Sequence, residues 1–188
     1  MVMKRLENKV AIVTGGARDL GRQVSLTLAR EGAKVVVNYF DNPDDADKTV
    51  AMIVEAGGEA IKVQGDMTKA DDVKRLVQEA LNAFGGQIHV LVNVVGGIVG
   101  RKKITEQDEA WYEFLMNVNM KSCWLCTREV VPYMPAGSAI VNFSSLAARD
   151  GGGNGASMYA TAKGAVAVFT RAMAKELGPD GIRVNAVS

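Results

Sequence analysis

Two kinds of hydrophobic pattern alternate along the chain. Short runs rich in β-branched residues are typical of buried strands, whereas longer stretches with apolar residues every three or four positions are typical of amphipathic helices. The predicted strands are 9–14, 35–37, 60–64, 88–92, 138–143 and 182–187. The predicted helices are 20–28, 47–57, 70–84, 105–133 and 158–177. Strands and helices therefore follow one another along the whole chain.

This alternation predicts an α/β fold built on a parallel sheet. No hairpin signal lies between consecutive strands, so the connections are expected to be helical crossovers that cover both faces of the sheet. Right-handed crossovers favour a three-layer α/β/α, doubly wound sheet with the strand order 3-2-1-4-5-6, which binds ligands at the carboxyl ends of its strands. With 188 residues and 48% hydrophobic positions, the sequence suits one domain over 1–188.

The charge balance narrows the class of ligand. The chain has 22 basic and 21 acidic residues, and the basic residues form no stripe. Nucleic acid is therefore not expected as a partner, because polyanions bind to clustered positive charge. A small or locally charged molecule fits the sequence better.

The sequence also predicts a cytoplasmic location. Its apolar runs fall short of the about 20 residues that a membrane-spanning helix needs. Residues 1–9 lack the hydrophobic segment of a signal peptide. We therefore expect no membrane partner.

Two cysteines and a histidine are interpreted as structural residues. Cys123 and Cys126 form a Cys-Trp-Leu-Cys motif, but they lie in a helical pattern rather than just after a strand, where a redox motif is expected. His89 is the only histidine, and together these residues are too few for a metal site. We expect buried thiols, a structural histidine within the strand 88–92, and no metal.

Residues 14–21 form a glycine-rich turn between the first strand and the first helix. The segment reads Thr-Gly-Gly-Ala-Arg-Asp-Leu-Gly, and its small residues let a ligand approach the backbone closely. Backbone N–H groups at the N-terminus of a helix attract phosphate groups. The order of strand, turn and helix therefore predicts a nucleotide-binding turn.

The end of the second strand is where a dinucleotide-binding unit contacts the adenosine ribose. An acidic residue there binds the 2′-hydroxyl of NAD(H), whereas this chain has Tyr39 there and Arg18 in the glycine turn. This pair favours NADP(H), with NAD(H) possible. Four nearby acids would repel a 2′-phosphate if they face it, and otherwise belong to a solvated loop: Asp19, Asp41, Asp44 and Asp45.

The segment Tyr159-Ala-Thr-Ala-Lys163 carries the candidate catalytic chemistry. Residues four apart lie on one face of a helix, so the Lys163 ammonium is expected beside the Tyr159 phenol. A phenol normally has a pKa of about 10, and a fixed positive charge favours its ionised form. Tyr159 could then serve as a general acid or base. The same spacing also arises by chance on amphipathic helices, so the other motifs decide between these alternatives.

These motifs converge on the carboxyl ends of the predicted strands. They are the glycine turn, the bend 93–97, Ser144-Ser145 and the glycine-rich loop 149–155 before Tyr159, which is expected to be irregular. With this order and spacing, the chain resembles the short-chain dehydrogenase/reductase family over essentially its whole length, which implies a Rossmann-type fold. The stretches 36–39, 140–145 and 181–185 are most similar to the 3-oxoacyl-acyl-carrier-protein reductase-like branch, although sugar and alcohol dehydrogenases share them.

The resemblance implies a role for each residue that matches a family motif. The implied catalytic residues are Asn119, Ser145, Tyr159 and Lys163, with Ser144 as the alternative to Ser145. The implied cofactor-binding residues are Thr14, Gly15, Arg18, Asp19, Leu20, Gly21, Tyr39, Asp66, Met67, Asn93, Gly96, Tyr159 and Lys163. Asp66 matches the family's adenine contact, and by its position alone it would cap the following helix.

The same resemblance implies the reaction. Tyr159 would donate a proton to a carbonyl oxygen as hydride arrives from the nicotinamide, or remove that proton in oxidation, while Ser145 would hydrogen-bond the oxygen. Lys163 would make the phenol more acidic and bind the nicotinamide ribose, and Asn119 would anchor a water chain that resupplies protons. The implied function is reduction of a 3-oxoacyl compound or similar ketone. An NAD-dependent alcohol or sugar dehydrogenase and a catalytically weak binding module are the alternatives.

The chain departs from the family pattern at three places. Asp19 replaces the middle glycine of the cofactor turn, and its charge should weaken pyrophosphate binding unless the side chain points away. Val94 and Val95 replace an Asn-Ala pair. Family members continue past the last predicted strand into a substrate-covering segment, so we expect 1–188 to be a fragment of a longer protein or a truncated one.

A homo-oligomer, either a dimer or a tetramer, is also implied by the resemblance. The helices 105–133 and 158–177 support it, because they carry apolar and small-residue faces suited to contact between subunits.

Overall fold

A parallel sheet of six strands forms the centre of the protein in the computed structural model, which describes residues 4–188. The strands are β1 (Val10–Thr14), β2 (Lys34–Tyr39), β3 (Glu59–Gln64), β4 (Val90–Asn93), β5 (Ala139–Phe143) and β6 (Arg183–Val187). Their order is β3-β2-β1-β4-β5-β6, and every neighbouring pair is parallel. The strand order predicted from the sequence is therefore confirmed.

Helices cover both faces of this sheet. They are α1 (Asp19–Arg30), α2 (Pro43–Glu55), α3 (Ala70–Phe84), α4 (Glu109–Met116), α5 (Ser122–Val130), α6 (Ala147–Asp150) and α7 (Ser157–Leu177). Side chains alternate across a strand, so Ile12 of β1 packs with residues of α3 and α5 on one face, whereas Val13 packs with residues of α1 and α2 on the other. The result is the predicted Rossmann-type arrangement of three layers.

The site of ligand binding in such a sheet is fixed by its topology. β1 pairs with β2 on one side and with β4 on the other, and the connections that follow β1 and β4 run to opposite faces of the sheet. A crevice therefore opens between the carboxyl ends of β1 and β4.

The predicted helix 105–133 is wrong as a continuous element. The Asp108 side chain accepts a hydrogen bond from the backbone N–H of Trp111 at 2.7 Å and so caps α4, which begins at Glu109. A π-helical segment, Asn117–Lys121, then separates α4 from α5. Such segments are often found at functional sites, and this one contains Asn119.

Two smaller expectations also need correction. Residues 149 and 150, expected in an irregular loop, form the end of the short helix α6. His89 precedes β4 rather than lying within a strand, and its Nδ1 accepts a hydrogen bond from the backbone N–H of Val10 at 3.2 Å. Burial, with a smaller effect of nearby Lys9, lowers the pKa of His89, which is consistent with a structural role.

The two cysteines are buried and unbridged. Burial raises the pKa of Cys123 to about 12 and raises that of Cys126 as well, so neither thiol forms a thiolate readily. These properties agree with the interpretation of both residues as structural thiols. Within residues 4–188, no helix combines the length and apolar character needed to cross a bilayer.

Candidate active site

A cleft with a volume of about 410 Å³ lies at the carboxyl ends of the central strands, where the topology predicts a ligand. Its lining comes from the glycine turn, the end of β2 with the loop after it, the bend after β4, and α7. Gly15, Tyr39, Gly96, Tyr159 and Lys163 are all part of this lining. The fold thus brings together residues that are far apart in the sequence.

The backbone of the glycine turn folds back so closely on itself that only glycine fits at position 21. A Cβ atom at Gly21 would lie 2.0 Å from the carbonyl oxygen of Gly15. Helix α1 begins just before, and Arg18 at its N-cap makes no capping hydrogen bond with its side chain. The first-turn N–H groups therefore stay open to an anion, and the positive end of the helix dipole favours one. These features fit a dinucleotide pyrophosphate.

Asp19 occupies an unusual backbone conformation in this turn. Its φ angle is +48°, in the left-handed region that glycine adopts most easily and that aspartate tolerates better than most residues. The Asp19 side chain is 87% exposed and lies 3.8 Å from the Arg18 guanidinium. The carboxylate is therefore held in solvent at the edge of the cleft, beside a positive charge.

Two polar residues that sequence reasoning did not single out for this role hold the turn in place. Asn38, buried at the end of β2, accepts a hydrogen bond from the N–H of Gly15 at 3.0 Å and donates to the Gly65 carbonyl at 3.1 Å. Thr14 accepts a hydrogen bond at 3.1 Å from the N–H of Val94 and so joins the turn to the bend after β4. A polar residue inside an otherwise apolar strand, as at Asn38, is the sequence signal that could have revealed this brace.

The end of the cleft beside β2 carries both signs of charge. Phe40 and Asp41 line it next to Tyr39, as does Asp45. Arg22 binds the Asp45 carboxylate at 2.7 Å and also donates to Thr49 at 2.7 Å. Asp45 is thus already neutralised by a partly buried ion pair, whereas Asp41 is exposed.

Gly96 brings the bend after β4 against two of the predicted catalytic residues. A Cβ atom there would lie 2.7 Å from Asn119 Oδ1 and 2.8 Å from Lys163 Nζ. Asn119 is buried and holds the bend through Gly97, accepting from its N–H at 2.9 Å and donating to its carbonyl at 3.1 Å. The side chain of Asn119 is thereby committed to positioning the backbone.

Tyr159 and Lys163 both face the cleft from α7, as their spacing predicts. Lys163 is only 4% exposed, and its ammonium donates a hydrogen bond to the Phe143 carbonyl at 2.7 Å. Burial lowers the pKa of Lys163 to about 8, and no carboxylate among residues 4–188 lies within ion-pair distance of it. Its remaining N–H groups are free to bind hydroxyl groups of a ligand.

The two candidate serines after β5 have different hydrogen bonds. Ser144 lines the cleft, but its hydroxyl donates to the Lys163 carbonyl at 3.0 Å. The Ser145 hydroxyl accepts a hydrogen bond from the N–H of Ala147 at 3.2 Å, which leaves its own proton available. Of the two serines, Ser145 therefore has the free donor.

Comparison with known proteins agrees with this geometry. Residues 9–188 match the sequence pattern of the short chain dehydrogenase family. The chain belongs to this family. It is 38% identical over 188 residues to a 3-oxoacyl-(acyl-carrier-protein) reductase of Synechocystis sp., and the alignment covers 99% of this chain and 75% of that relative. Membership of the short-chain dehydrogenase family makes the protein an oxidoreductase.

Solved structures of the family superpose closely on this chain. A short chain dehydrogenase from Burkholderia cenocepacia, solved with NADP, has a TM-score of 0.92 and 31% identity, covering 97% of this chain and 74% of its own. NADH-dependent reductase A1-R′, solved with NAD, has a TM-score of 0.94 and 32% identity, covering 100% of this chain and 80% of its own. These two relatives bind different cofactors.

Six residues implied by the family motifs lie outside the lining of the cleft, namely Thr14, Asp66, Met67, Asn93, Asn119 and Ser145. Three of them make contacts elsewhere in the protein. Asp66 accepts hydrogen bonds from the N–H and hydroxyl of Thr68 at 2.9 and 2.8 Å, and so stabilises the turn before α3 instead of capping that helix, whose N-cap is Lys69. Met67 is buried in the core, 2% exposed. Asn93 donates a hydrogen bond to Asn142 at 2.9 Å inside the sheet. The contacts of these residues within the protein are structural.

Proposed function

We propose that the protein is an NADP(H)-dependent reductase of a carbonyl compound. The observation that carries the proposal is the position of Tyr159 and Lys163, which face the same cleft as the glycine turn. An acid or base is useful only where its proton can reach the reacting oxygen, and this cleft joins the phosphate-binding end to the phenol. Turnover of dinucleotide with a panel of ketones and 3-oxoacyl thioesters tests the proposal.

Each side chain of the site has a distinct part in the proposed reaction. The bound nicotinamide supplies or accepts the hydride. Tyr159 donates its phenolic proton to the carbonyl oxygen during reduction and removes it during oxidation, while Ser145 donates a hydrogen bond to the same oxygen. The Lys163 ammonium stabilises the phenolate that is left and can bind ribose hydroxyls with its free N–H groups. The proton-supplying water chain implied for Asn119 stays a prediction.

The preference for NADP(H) rests on the charged groups around the ribose. Tyr39 stands where an NAD-binding unit has an acid. Two acids that follow β2 line the cleft; Asp45 is bound by Arg22 at 2.7 Å, whereas Asp41 is exposed. Arg18 is an exposed cation at the cleft whose partner, Asp19, is 3.8 Å away. A 2′-phosphate can compete for this guanidinium because exposed ion pairs are weak.

Replacing Arg18 by Ala tests the proposed cofactor preference. Wild type is expected to have a kcat/KM about tenfold higher with NADPH than with NADH, and Arg18→Ala should bring the two values close together, because one charge-assisted phosphate contact is lost. Asp19→Asn is the matched variant, since it removes the opposing charge at the same turn. It should tighten binding of both dinucleotides about threefold at low salt.

A wild-type preference for NADH would contradict this cofactor assignment. The proposed reductase activity would still stand. The cofactor preference would then be assigned to the exposed Asp41 rather than to Arg18.

The substrate class is proposed to be a 3-oxoacyl compound or a similar ketone. The similarity to a 3-oxoacyl-(acyl-carrier-protein) reductase supports this choice. Faster oxidation of polyols than reduction of ketones would favour an alcohol or sugar dehydrogenase instead. A second candidate function is a catalytically weak binding module, which is favoured by Asp19 at the position of a family glycine. Absence of dinucleotide binding at millimolar concentration would support this candidate.

We also propose that the protein forms a homo-oligomer through α4, α5 and α7. Large apolar side chains are exposed on these helices: Tyr112 is 50% exposed, Phe114 46%, Trp124 40% and Val168 57%. Burying such side chains between subunits is favourable. Light scattering is expected to give at least the mass of a dimer, and a monomer at micromolar concentration would contradict the proposal.

A further inference from the structure

The segment that joins Ser145 to Tyr159 has a conformationally permissive backbone. Gly151, Gly152, Gly153 and Gly155 all have positive φ angles, between +72° and +85°. Glycines lose more conformational freedom on ordering than other residues, so a segment of this kind stays in one conformation only when other groups hold it. Its conformation matters because it connects the two proposed catalytic residues along the chain.

Arg101, which lies outside the segment, holds it through hydrogen bonds. Its Nη1 donates hydrogen bonds to the carbonyl oxygens of Gly152, at 3.0 Å, and Asn154, at 2.9 Å. Arg101 belongs to the loop between β4 and α4, so these bonds join two loops that are separated by 51 and 53 residues in the sequence. A planar guanidinium makes such contacts with little loss of side-chain freedom for each bond.

Neighbouring residues extend this connection to the start of α7. The N–H of Lys102 donates to the Gly155 carbonyl at 3.1 Å. Gln107 donates to the Lys102 carbonyl at 2.8 Å and to the Ser157 hydroxyl at 2.9 Å. Ser157 is the first residue of α7, two positions before Tyr159. The loop 97–107 therefore touches the glycine segment along its length and ends at the helix that carries the phenol.

The same loop is anchored at its other end to the proposed cofactor site. Asn119 holds Gly97 by two hydrogen bonds, at 2.9 and 3.1 Å. Between the anchors, Val99 has a φ of +54°, a conformation that is unfavourable for a β-branched residue and persists only where the surrounding structure enforces it. The loop is therefore held at both ends, with Arg101 and Lys102 at the end nearer Tyr159.

We propose that Arg101 is a positioning residue that holds the segment 151–155 and thereby sets Ser145 and Tyr159 in register. The proposal rests on the proposed reductase function, because it assigns to Arg101 the placement of that function's proton donor and hydrogen-bond donor. Small displacements of such groups lower the rate of a reaction steeply. The dinucleotide end of the cleft has no part in the Arg101 contacts and should be unaffected.

Hydrogen exchange and steady-state kinetics of Arg101→Ala test the proposal together. The amides of 151–156 are expected to exchange about fivefold faster in the variant, because their segment opens more often without the tether. The kcat with a carbonyl substrate should fall about tenfold while the Kd for NADPH stays unchanged. Arg101→Lys keeps a charged donor, so it should partly restore both the slow exchange of these amides and the kcat.

Arg149→Ala is the matched control, since Arg149 is exposed in α6 next to the same segment and its side chain makes no hydrogen bond within residues 4–188. It should leave exchange and kcat at wild-type values. Unchanged exchange in Arg101→Ala, or faster exchange with full kcat, would overturn the proposal. The exchange measurement needs no turnover, so failure of the reductase function itself would appear separately, as an inactive wild type.

Discussion

Replacing Tyr159 by Phe is expected to lower kcat with a carbonyl substrate by about 10²- to 10⁴-fold, the range that general acid–base catalysis contributes. Phenylalanine keeps the ring that lines the cleft and removes only the hydroxyl that exchanges the proton. The Kd for NADPH, measured by intrinsic tryptophan fluorescence, should therefore stay within about twofold of wild type. A loss in kcat without a loss in binding identifies a group that acts in the chemical step.

The matched control is Tyr133→Phe. Tyr133 lies in a short helical turn before β5, outside the cleft lining, and removing its hydroxyl should leave kcat unchanged. If Tyr159→Phe kept most of the wild-type kcat, the phenol would not be the acid or base, and the proposed mechanism would be wrong.

Replacing Lys163 by Met is expected to have opposite effects on activity and stability. Burial lowers the pKa of Lys163 from 10.5 to about 8, which corresponds to about 3 kcal/mol by which the folded protein disfavours the charged form. Below pH 8 the lysine is protonated in both folded and unfolded chains, so this penalty acts in full. Between about pH 8 and 10.5 the unfolded chain binds more protons than the folded one, so stability rises with pH.

Methionine removes this penalty along with the charge. The free energy of unfolding of Lys163→Met minus that of wild type should thus be larger at pH 7 than at pH 10.5, by up to about 3 kcal/mol. Urea denaturation at a series of pH values measures it, and reductase activity should be lost at every pH.

Lys175→Met is the control for this experiment, because Lys175 is exposed near the end of the same helix. Its difference from wild type should lack the change expected for Lys163→Met between pH 7 and pH 10.5, because an exposed side chain has no burial penalty to remove. A Lys163→Met difference that is flat across the pH series would show that the ammonium is not destabilised by burial in the absence of ligand.

The sheet could be predicted from the sequence because its central strands β1, β2 and β4 are buried almost throughout. A run such as Val35-Val36-Val37 is favourable only in a strand that is covered on both faces of the sheet, and the crossovers between such strands follow a fixed handedness. The common orientation of Tyr159 and Lys163 towards the cleft was also predictable, because residues four apart lie on the same face of a helix.

Other features of the site depend on contacts between distant segments. The π-helical segment contains Asn119, which makes two hydrogen bonds to Gly97, and no local pattern encodes such a pairing. The same holds for Arg101, whose partners are more than fifty residues away. The internal hydrogen bonds of Asp66 and Asn93 were not predictable either, since a motif identifies a position but does not determine which neighbours take up its hydrogen bonds. Their implied roles in cofactor binding stay predictions.

The transfer of deuterium from NADPH that carries deuterium at both positions of the nicotinamide C4 is the most direct test of the central claim, that this cleft transfers hydride between a nicotinamide and a carbonyl carbon. The panel of ketones and 3-oxoacyl thioesters would be incubated with the labelled cofactor, and the products analysed by mass spectrometry. We expect one deuterium on the carbinol carbon of the alcohol formed by wild type and no product with Tyr159→Phe. Dinucleotide binding without deuterium in the product of any carbonyl compound would contradict the claim.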